Sequence, residues 1–381
     1  MSVRTIACMT GTRADYPRIK SVLREIMRRP GLELKLIVTG MHLCPEYGMT
    51  VNEIEADGFP IAARVPMYDG DDTPYGMAKA VARCAAGVAD ALNDIRPDLF
   101  LITVDRAETL GAAQAGALMN FPMAHVQGGE VTGTIDESIR HAVTKLSHIH
   151  FPANQDAADR IIRMGEDPAM VHAVGCPYID IITSLDLASK DELGRRYGFD
   201  AAKPLVLFTQ HAVTTEFGQS GGQFSVTLDA LSRFKDVEVI ALHPNADAGG
   251  REILDALKRQ GNFHVFANIH ENDFLALMKH ASVMVGNSSA AIREAPSFGL
   301  PAVNIGSRQS GRLRAANVID VPHDAEAIAK AIDKALNDQA FRAVVAQAVN
   351  PYGDGRSAGR IVDILETVEL SPKLVQKIIR Y

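Results

Sequence analysis

The chain has 381 residues, of which 47% are hydrophobic and 22% charged, with a formal net charge of −7. This length exceeds what one ordinary hydrophobic core requires, so two domains are expected. The composition is typical of a globular protein. The net charge is negative and no basic run occurs, so electrostatics give no reason to expect nucleic acid as a partner.

The N-terminus and the cysteines bear on the cellular compartment. Residues 1–7 enter a strand-like run without the pattern of a signal peptide, and no apolar stretch approaches the length of a membrane span. The cysteines are far apart, form no CxxC pair and are expected to be reduced apolar side chains: Cys8, Cys44, Cys84 and Cys176. These features predict a cytoplasmic protein without a metal centre.

In the first half of the chain, short apolar runs alternate with longer amphipathic segments. Strands are predicted at 5–9, 32–40, 98–104 and 122–126. Helices are predicted near 16–29, 75–95 and 107–119. This alternation predicts βαβ units and a parallel sheet that is covered on both faces.

After about residue 180 the same rhythm begins again. Strands are predicted at 204–210, 237–242, 263–267, 281–286 and 301–305. We therefore expect two Rossmann-like domains, at 1–180 and 181–360, that face each other across a cleft. The segment 361–381 is expected to be helical and either to close the second domain or to pack back on the first. Ligands bind beyond the carboxyl ends of such strands, so polar residues there are the candidates.

Two loops of the first half follow strands. "TGTRADY" (10–16) is not a dinucleotide fingerprint, but Gly11 allows a tight turn and Arg13 supplies a bidentate cation beside a helix N-terminus. This favours a phosphate-facing Arg13 over a surface arginine on an ordinary turn. In "DRAE", Asp105, Arg106 and Glu108 follow a second strand, although a solvated turn before a helix would also favour acids.

The stretch "HVQGGEVTGTIDESIRH" (125–141) is dense in polar side chains. Thr134 and Glu137 match a capping box, so Glu137 is expected to be structural. Asp136 falls in the first helical turn, where the helix dipole favours a carboxylate, and Glu130 lies in a glycine loop that can face a ligand. Gln127 is an amide among these acids and cannot exchange a proton at neutral pH.

Two motifs of the second half also follow strands. His211 in "TQHAVTTE" fits an acid–base or phosphate-binding role and a structural role equally well. In "VGNSSAAIREAPSFGLP" (285–301), Ser288, Ser289 and the N–H groups of the next helix form a possible diphosphate cradle without lysine or metal. Glu294 is placed to bind a ribose diol. No Walker A lysine, HExxH or GxSxG pattern occurs.

Taken together, these motifs resemble a known family. "TGTRADY", "DR", "GGEVTGTIDESIRHAVTKLSH", "GCPYID", "HPN", "GNSSAAIREAPSFGLP" and "NIGSRQ" occur in the order and spacing of the hydrolysing UDP-N-acetylglucosamine 2-epimerases that feed sialic-acid-type sugar synthesis. The resemblance covers nearly the whole chain. It implies a glycosyltransferase-B-like α/β fold with the active site between two Rossmann-like domains, and a homodimer or homotetramer.

The resemblance also implies a reaction without a cofactor or metal. UDP-GlcNAc loses its C2 proton and UDP leaves from C1, which gives a glycal; water then adds, with protonation at C2, to yield free N-acetylmannosamine. The family's acid–base carboxylates correspond to Asp105 and Asp136, with Glu130 beside them, and a histidine near the diphosphate corresponds to His211. The nucleotide contacts correspond to Arg13, Ser288, Ser289 and Glu294, with Arg106, Asn245 and Asp247 as further candidates. His125 and His141 are expected to be supporting residues.

Two positions depart from the family pattern. Val104 stands where the family usually has glycine, and Gln127 stands where it has a catalytic glutamate. Either the site is silenced, or Asp105, Asp136 and Glu130 exchange the protons while Gln127 orients the substrate, for example through an N-acetyl group.

The leading hypothesis is the hydrolysing reaction on UDP-GlcNAc. The first alternative is the same reaction on a UDP- or GDP-linked 2,4-diacetamido-2,4,6-trideoxy-glucose, a substrate that could accommodate Gln127. A non-hydrolysing 2-epimerase, a glycosyltransferase of the same fold and a non-catalytic nucleotide-sugar sensor are further alternatives. The stretch "GGEVTGTIDESIRH" fits the hydrolysing branch better than the non-hydrolysing one.

Overall fold

The computed structural model describes residues 3–13, 15–71, 73–131, 135–213, 216, 218–244 and 250–380. The chain divides into two compact units. The first unit contains Met1–Ile181 together with Tyr352–Tyr381, and the second contains Ile182–Pro351. Residues 352–360, which the sequence analysis places in the second domain, thus lie in the first unit.

Backbone hydrogen bonds explain this boundary. The Cys176 N–H donates to the Tyr352 carbonyl at 2.6 Å. The Asp180 carboxylate accepts the N–H groups of Ser357 at 2.9 Å and Ala358 at 2.6 Å. The returning chain is therefore fixed to the first unit as soon as it leaves the second.

The first unit contains a parallel sheet, six-stranded over the described residues, in the order β3-β2-β1-β4-β5-β6. Its strands are β1 (Arg4–Thr10), β2 (Leu32–Thr39), β3 (Ile61–Val65), β4 (Leu99–Thr103), β5 (Met123–Val126) and β6 (Ile149–Phe151). The four strands predicted for this half of the chain correspond to β1, β2, β4 and β5. The sequence analysis missed β3, which is half-exposed and contains Arg64, and β6, which is three residues long.

Helices connect and cover these strands. They are α1 (Tyr16–Arg28), α2 (Val51–Ala56), α3 (Pro74–Ile95), α4 (Ala107–Leu118), α5 (Ile135–Leu146), α6 (Gln155–Arg163) and α7 (Pro177–Ser184), with α15 (Ser357–Thr367) and α16 (Pro372–Val375) in the returning segment. The predicted helical tail is thus helical only in part, because α16 is a single turn and residues 376–380 are not helical.

The second unit repeats the architecture. Its sheet has the order β12-β11-β10-β7-β8-β9, and every pair is parallel. Its strands are β7 (Leu205–Thr209), β8 (Glu238–Leu242), β9 (His264–Phe266), β10 (Val283–Gly286), β11 (Ala302–Ile305) and β12 (Val318–Val321). Its helices are α8 (Lys190–Tyr197), α9 (Ser220–Ser232), α10 (Gly250–Lys258), α11 (Glu271–His280), α12 (Ala290–Arg293), α13 (Ala325–Asn337) and α14 (Gln339–Ala346). Only the edge strand β12 was not predicted.

In each sheet the strand order is that of a doubly wound α/β fold. The side chains of β1 show how both faces are buried. Ile6 and Cys8 join the core under α1 and α15, whereas Ala7 and Met9 join the core under α3 and α4. Successive strand residues point to opposite faces, so a sheet covered on both sides needs the continuous apolar runs seen in the sequence.

A helix that spans a bilayer needs about 20 consecutive, predominantly apolar residues. No helix in the described ranges combines the length and apolar character needed to cross a membrane.

Candidate active site

The loop after β1 is shaped by a buried carboxylate that the sequence analysis did not single out. Asp15 accepts hydrogen bonds from the Thr10 hydroxyl at 2.6 Å and from the N–H groups of Gly11 at 3.0 Å and Thr12 at 3.1 Å. The loop therefore curls around Asp15, and the exposed Arg13 lies on its outer side. The signal for this arrangement was an aspartate a few residues after the strand end, a position from which side chains often bind loop N–H groups.

Beneath this loop lies Glu108, which is fully buried. The Tyr68 hydroxyl donates to Glu108 Oε1 at 2.8 Å. A Cβ atom at either Gly11 or Gly40 would lie only 2.9 Å from Glu108 Cγ, which explains both glycines. Burial raises the pKa of Glu108, and the negative charge of Asp15 contributes in the same direction. Glu108 thus supports the loop from below.

Substitution Glu108→Gln is expected to stabilise the protein increasingly as the pH rises. The folded state keeps a proton that the unfolded chain releases above its ordinary pKa of 4.5. The stability that this carboxyl contributes is therefore complete below that value and is lost as the pH rises toward the raised folded pKa. Thermal unfolding of both proteins between pH 4 and pH 8 measures the effect. A difference that does not change with pH, or an equal trend in the exposed control Glu53→Gln, contradicts the expectation.

At the end of β4, Val104 adopts the left-handed conformation with φ +57°. This conformation is strained for a β-branched residue and favours glycine, which the family resemblance predicts here. Backbone hydrogen bonds hold the turn: the Val104 N–H donates to the Val126 carbonyl at 3.0 Å, and His125 Nε2 lies 2.8 Å from the Val104 carbonyl oxygen. The turn is thus maintained with a bulky residue, and it projects Asp105 beyond the strand end.

Arg140 of α5 contacts the turn that carries Asp105 and the loop that carries Glu130. Its guanidinium forms an ion pair with the Asp105 carboxylate and donates to the Glu130 carbonyl oxygen at 2.7 Å. The arginine is 2% exposed. Asp136 lies four residues before Arg140 on the same helix, so both project from one face. The guanidinium, to which sequence reasoning assigned no role, therefore binds the Asp105 carboxylate and the backbone of Glu130, and Asp136 lies one helical turn before it.

The glycine loop between β5 and α5 is held from both sides. Arg160 donates to the Gly129 carbonyl, and Gly129 has φ +79° with the Ala157 carbonyl 2.4 Å from where a Cβ atom would lie. Only glycine fits this position. The loop is therefore a built turn next to the carboxylates. The predicted N-cap Thr134 lies outside the described residues, while Glu137 contacts His141 at 3.7 Å.

Gln127 is buried, and its amide contacts protein groups on both sides. Arg18 Nη1 donates to Gln127 Oε1 at 2.9 Å, and Gln127 Nε2 donates to Cys176 Sγ at 2.8 Å. The residue is 3% exposed and has φ +64°. These contacts favour a structural role, in which Gln127 joins α1 to the loop before α7. A direct role in orienting the substrate stays a prediction.

Substitution Gln127→Ala is accordingly expected to reduce stability more than activity. It removes the hydrogen bonds of the buried amide with the half-buried Arg18 and with Cys176, which costs about 1–3 kcal/mol of unfolding free energy. Chemical denaturation and turnover measured on the same preparation separate the two effects. Gln127→Glu, which keeps the contact with Arg18, is the matched variant. Loss of turnover in a fully folded Gln127→Ala protein contradicts the structural role.

In the second unit, the loop after β7 is fixed by a reciprocal pair of hydrogen bonds. The His211 N–H donates to Asn287 Oδ1 at 2.7 Å, and Asn287 Nδ2 donates to the His211 carbonyl at 2.9 Å. Gly286 precedes Asn287 with φ +123°, and a Cβ atom there would lie 2.0 Å from the Thr209 carbonyl oxygen. The two neighbouring strand ends therefore meet, and Asn287 holds His211 at this edge. Asn287 was quoted in a motif but given no role.

The serines follow directly, on a shorter helix than predicted. The α12 helix is one turn, continued by a 3-10 turn at Ala295–Phe298. Its macrodipole is correspondingly small, so free N–H groups and hydroxyls would supply any contact with an anion. Ser288 and Ser289 are half-buried at the start of this turn, and Glu294 lies at its end. Asn245 and Asp247 lie outside the described residues.

A structural or catalytic metal ion is typically held by three or four side chains. In the described part of the chain, no group of three histidine, cysteine or acidic side chains is arranged to hold a metal ion. All four cysteines are free thiols. Arg106 precedes α4, and its Nε atom is buried without a hydrogen-bond partner among the described residues.

The fold and the residues at its strand ends define a glycosyltransferase-B-like protein with two doubly wound units. A known structure of UDP-GlcNAc 2-epimerase from Neisseria meningitidis bound to UDP-GlcNAc has this fold, with a TM-score of 0.81 at 18% identity, over 95% of this chain and 99% of that one. The family model described as UDP-N-acetylglucosamine 2-epimerase matches residues 24–366. The chain belongs to the UDP-N-acetylglucosamine 2-epimerase family, which confirms the predicted family and fold class.

Three relatives are similar along most of their length. UDP-N,N'-diacetylbacillosamine 2-epimerase (hydrolyzing) from Legionella pneumophila is 37% identical over 98% of this chain and 99% of its own. UDP-N-acetylglucosamine 2-epimerase from Neisseria meningitidis serogroup B is 37% identical over 90% of each chain. GDP/UDP-N,N'-diacetylbacillosamine 2-epimerase (hydrolyzing) from Campylobacter jejuni is 36% identical over 84% of this chain and 85% of its own.

Proposed function

We propose that the protein is a hydrolysing 2-epimerase whose substrate is a UDP-linked 2,4-diacetamido-2,4,6-trideoxy-glucose. The observation that carries the proposal is the ion pair between Arg140 and Asp105, with the Glu130 backbone bound to the same guanidinium and Asp136 one helical turn before it. These carboxyl groups are the proposed proton-exchanging groups of a chain of this family. Two of the three relatives described above are named for N,N'-diacetylbacillosamine, which is this sugar.

This substrate replaces the leading hypothesis of the sequence analysis. UDP-GlcNAc was placed first there, and the diacetamido sugar was the alternative. The relative that matches 98% of this chain and 99% of its own is named for the diacetamido sugar. The UDP-GlcNAc relative has the same identity over a smaller share, 90%. The comparison therefore favours the alternative, and UDP-GlcNAc remains the second substrate to test.

The proposed reaction has two stages. One carboxylate removes the C2 proton while the bond between C1 and the diphosphate oxygen breaks, which gives UDP and a glycal. A water molecule then adds its oxygen to C1 and gives up one proton to a carboxylate, while a carboxyl group delivers a proton to C2 on the opposite face. The products are UDP and the free sugar with the manno configuration. Asp105 and Asp136 are the proposed proton-exchanging groups, with Glu130 beside them.

The proposed nucleotide contacts are those that the family resemblance implies. Arg13, His211, Ser288 and Ser289 would stabilise the negative charge of the departing diphosphate. Arg106 and Glu294, together with Asn245 and Asp247, are further nucleotide-binding candidates. Neither cofactor nor metal takes part in this scheme.

Nuclear magnetic resonance in deuterated water tests the proposal. The protein is incubated separately with the UDP-linked diacetamido sugar and with UDP-GlcNAc, while C1, C2 and the phosphates are followed. A free manno sugar with deuterium at C2, formed faster from the diacetamido sugar, is the expected result. Faster reaction of UDP-GlcNAc overturns the proposed sugar. A UDP-linked manno product, or binding without reaction, overturns the hydrolytic reaction.

Two further predictions concern the biosynthetic role of the reaction and the oligomeric state of the protein. A place in nonulosonic acid synthesis fits an enzyme that releases a free 2-epimerised amino sugar, and assembly into a homodimer or homotetramer follows from the family resemblance alone. Gel filtration with light scattering tests the second.

A further inference from the structure

The end of the chain is attached to the first unit by polar contacts. Residues 368–380, here called the C-terminal tail, follow α15. The Arg380 N–H donates to the Gly165 carbonyl at 2.9 Å, and the Arg380 guanidinium pairs with Asp167 at 2.8 Å. Ordering a chain end in this way costs conformational entropy, so these contacts have to outweigh that cost.

Lys377 is the centre of this attachment. Its ammonium group donates to three backbone carbonyls at the end of α5, those of Thr144 at 3.1 Å, Lys145 at 2.9 Å and Ser147 at 2.6 Å. It also pairs with the buried Glu166 carboxylate at 2.5 Å. The last carbonyls of a helix have no partner within the helix, and a cation there also interacts favourably with the helix dipole. Lys377 therefore caps the helix that carries Asp136 and Arg140.

From this helix end, hydrogen bonds lead to the turn after β4. Thr144 Oγ1 lies 3.3 Å from His125 Nδ1, and His125 Nε2 lies 2.8 Å from the Val104 carbonyl oxygen. Complete burial lowers the pKa of His125 to about 3, so the ring is neutral. A carbonyl can only accept, which places the ring proton on Nε2 and leaves Nδ1 to accept from the Thr144 hydroxyl.

We propose that Lys377 of the C-terminal tail is a positioning residue for Asp105 and acts through Thr144, His125 and the Val104 turn. A left-handed valine persists only where its surroundings hold it, and the His125 hydrogen bond is one of the contacts that do so. Lys377 fixes the Thr144 backbone, Thr144 orients the imidazole, and the imidazole holds the carbonyl next to Asp105. The role of Asp105 in turnover rests on the proposed function.

The test is a double-mutant cycle on turnover. Lys377→Met removes the cation and keeps the length of the side chain, while Thr144→Val removes the hydroxyl and keeps the backbone carbonyl that Lys377 binds. Each is expected to lower kcat about tenfold with KM nearly unchanged, and the double variant is expected to lose about tenfold as well. A combined loss of about a hundredfold shows independent effects and overturns the proposal.

Two further variants separate positioning from general destabilisation. Lys373→Met removes an exposed lysine from the same tail and is expected to leave kcat unchanged. Lys377→Arg keeps a cation at the helix end and is expected to recover most of the activity. A Lys377→Met protein with a lower melting temperature and unchanged kcat overturns the proposal. If that variant does not fold, Thr144→Val and Lys377→Arg decide the question. A kcat about tenfold lower in Thr144→Val and near the wild-type value in Lys377→Arg supports the proposal, whereas an unchanged kcat in Thr144→Val overturns it.

Hydrogen exchange tests the coupling from Lys377 to the Val104 turn independently of the proposed enzymatic activity. In Lys377→Met, amides of α5 and of the Val104 turn are expected to exchange faster than in the wild type, whereas Lys373→Met leaves them unchanged. If the wild-type protein turns over no nucleotide sugar, the proposed function fails while this measurement still reports the coupling. Faster exchange confined to the tail overturns the proposal.

Discussion

Substitution Asp136→Asn is expected to reduce the rate of proton exchange at C2 of the sugar by about 10²–10⁴-fold, with binding of UDP retained. Asparagine has nearly the same shape but cannot accept or return a proton at neutral pH. Asp136 lies in the first turn of α5 on the face that also carries Arg140, the ion-pair partner of Asp105. The measurement is deuterium incorporation at C2, with UDP affinity determined by calorimetry.

The neighbouring residue provides the control for this substitution. Glu137→Gln removes the charge of a carboxylate in the same helical turn, one that contacts His141 and is not among the proposed proton-exchanging groups. It is expected to leave exchange at C2 nearly unchanged. Turnover retained in Asp136→Asn together with its loss in Gln127→Ala would refute the assignment of the proton-exchanging role. That pattern would instead make the buried amide the essential group.

Substitution Arg140→Met is expected to abolish most turnover and to destabilise the fold. Removal of the guanidinium removes the ion pair of Asp105 and the hydrogen bond from Arg140 to the Glu130 carbonyl, which costs up to about 3 kcal/mol of unfolding free energy. Displacement of a catalytic group by about 1 Å lowers a rate by about 10²-fold. The two effects are measured by chemical denaturation and by kcat at a temperature at which the variant is fully folded.

A lysine at this position distinguishes charge from geometry. Arg140→Lys keeps the positive charge but lacks the planar group that reaches Asp105 and the Glu130 carbonyl together. Compared with Arg140→Met, this variant is expected to regain most of the lost unfolding free energy but only a small part of the lost turnover. Arg163→Met, at the exposed end of α6, is the matched control for removing an arginine from this unit. Full activity in Arg140→Lys would show that charge alone is required.

The fold was predictable to the extent that burial leaves a pattern in the sequence. Strands covered on both faces read as continuous apolar runs, and β1, β2 and β10 were recognised in this way. The strands that were missed are short or lie at a sheet edge, where fewer residues face a core. The return of the chain at residue 352 depends on hydrogen bonds between residues that are 177 and 178 positions apart, which no local pattern contains.

In the candidate site, too, local sequence patterns indicated some residues, whereas contacts between distant residues were not predictable. Asp105 and Asp136 were identifiable because they stand at a strand end and in a first helical turn, positions that local patterns reveal. Arg140, Asp15 and Asn287 were missed because their roles depend on which groups they contact in the folded chain. Arg140 pairs with a residue 35 positions away, and Asn287 binds a loop 76 positions away. The glycine expected at Val104 pointed to the correct backbone conformation, although this chain adopts it with another residue.

The division of the first unit between both ends of the chain has a consequence for synthesis on the ribosome. The core beside α1 includes Ile361, Val362 and Leu365, which are translated after the whole second unit. The second unit is continuous and can fold as soon as its own residues emerge. The first unit, although translated earlier, has to wait with part of its apolar sheet face uncovered until the last segment arrives. During translation, a chaperone or a neighbouring chain would therefore meet the N-terminal sheet as the exposed surface.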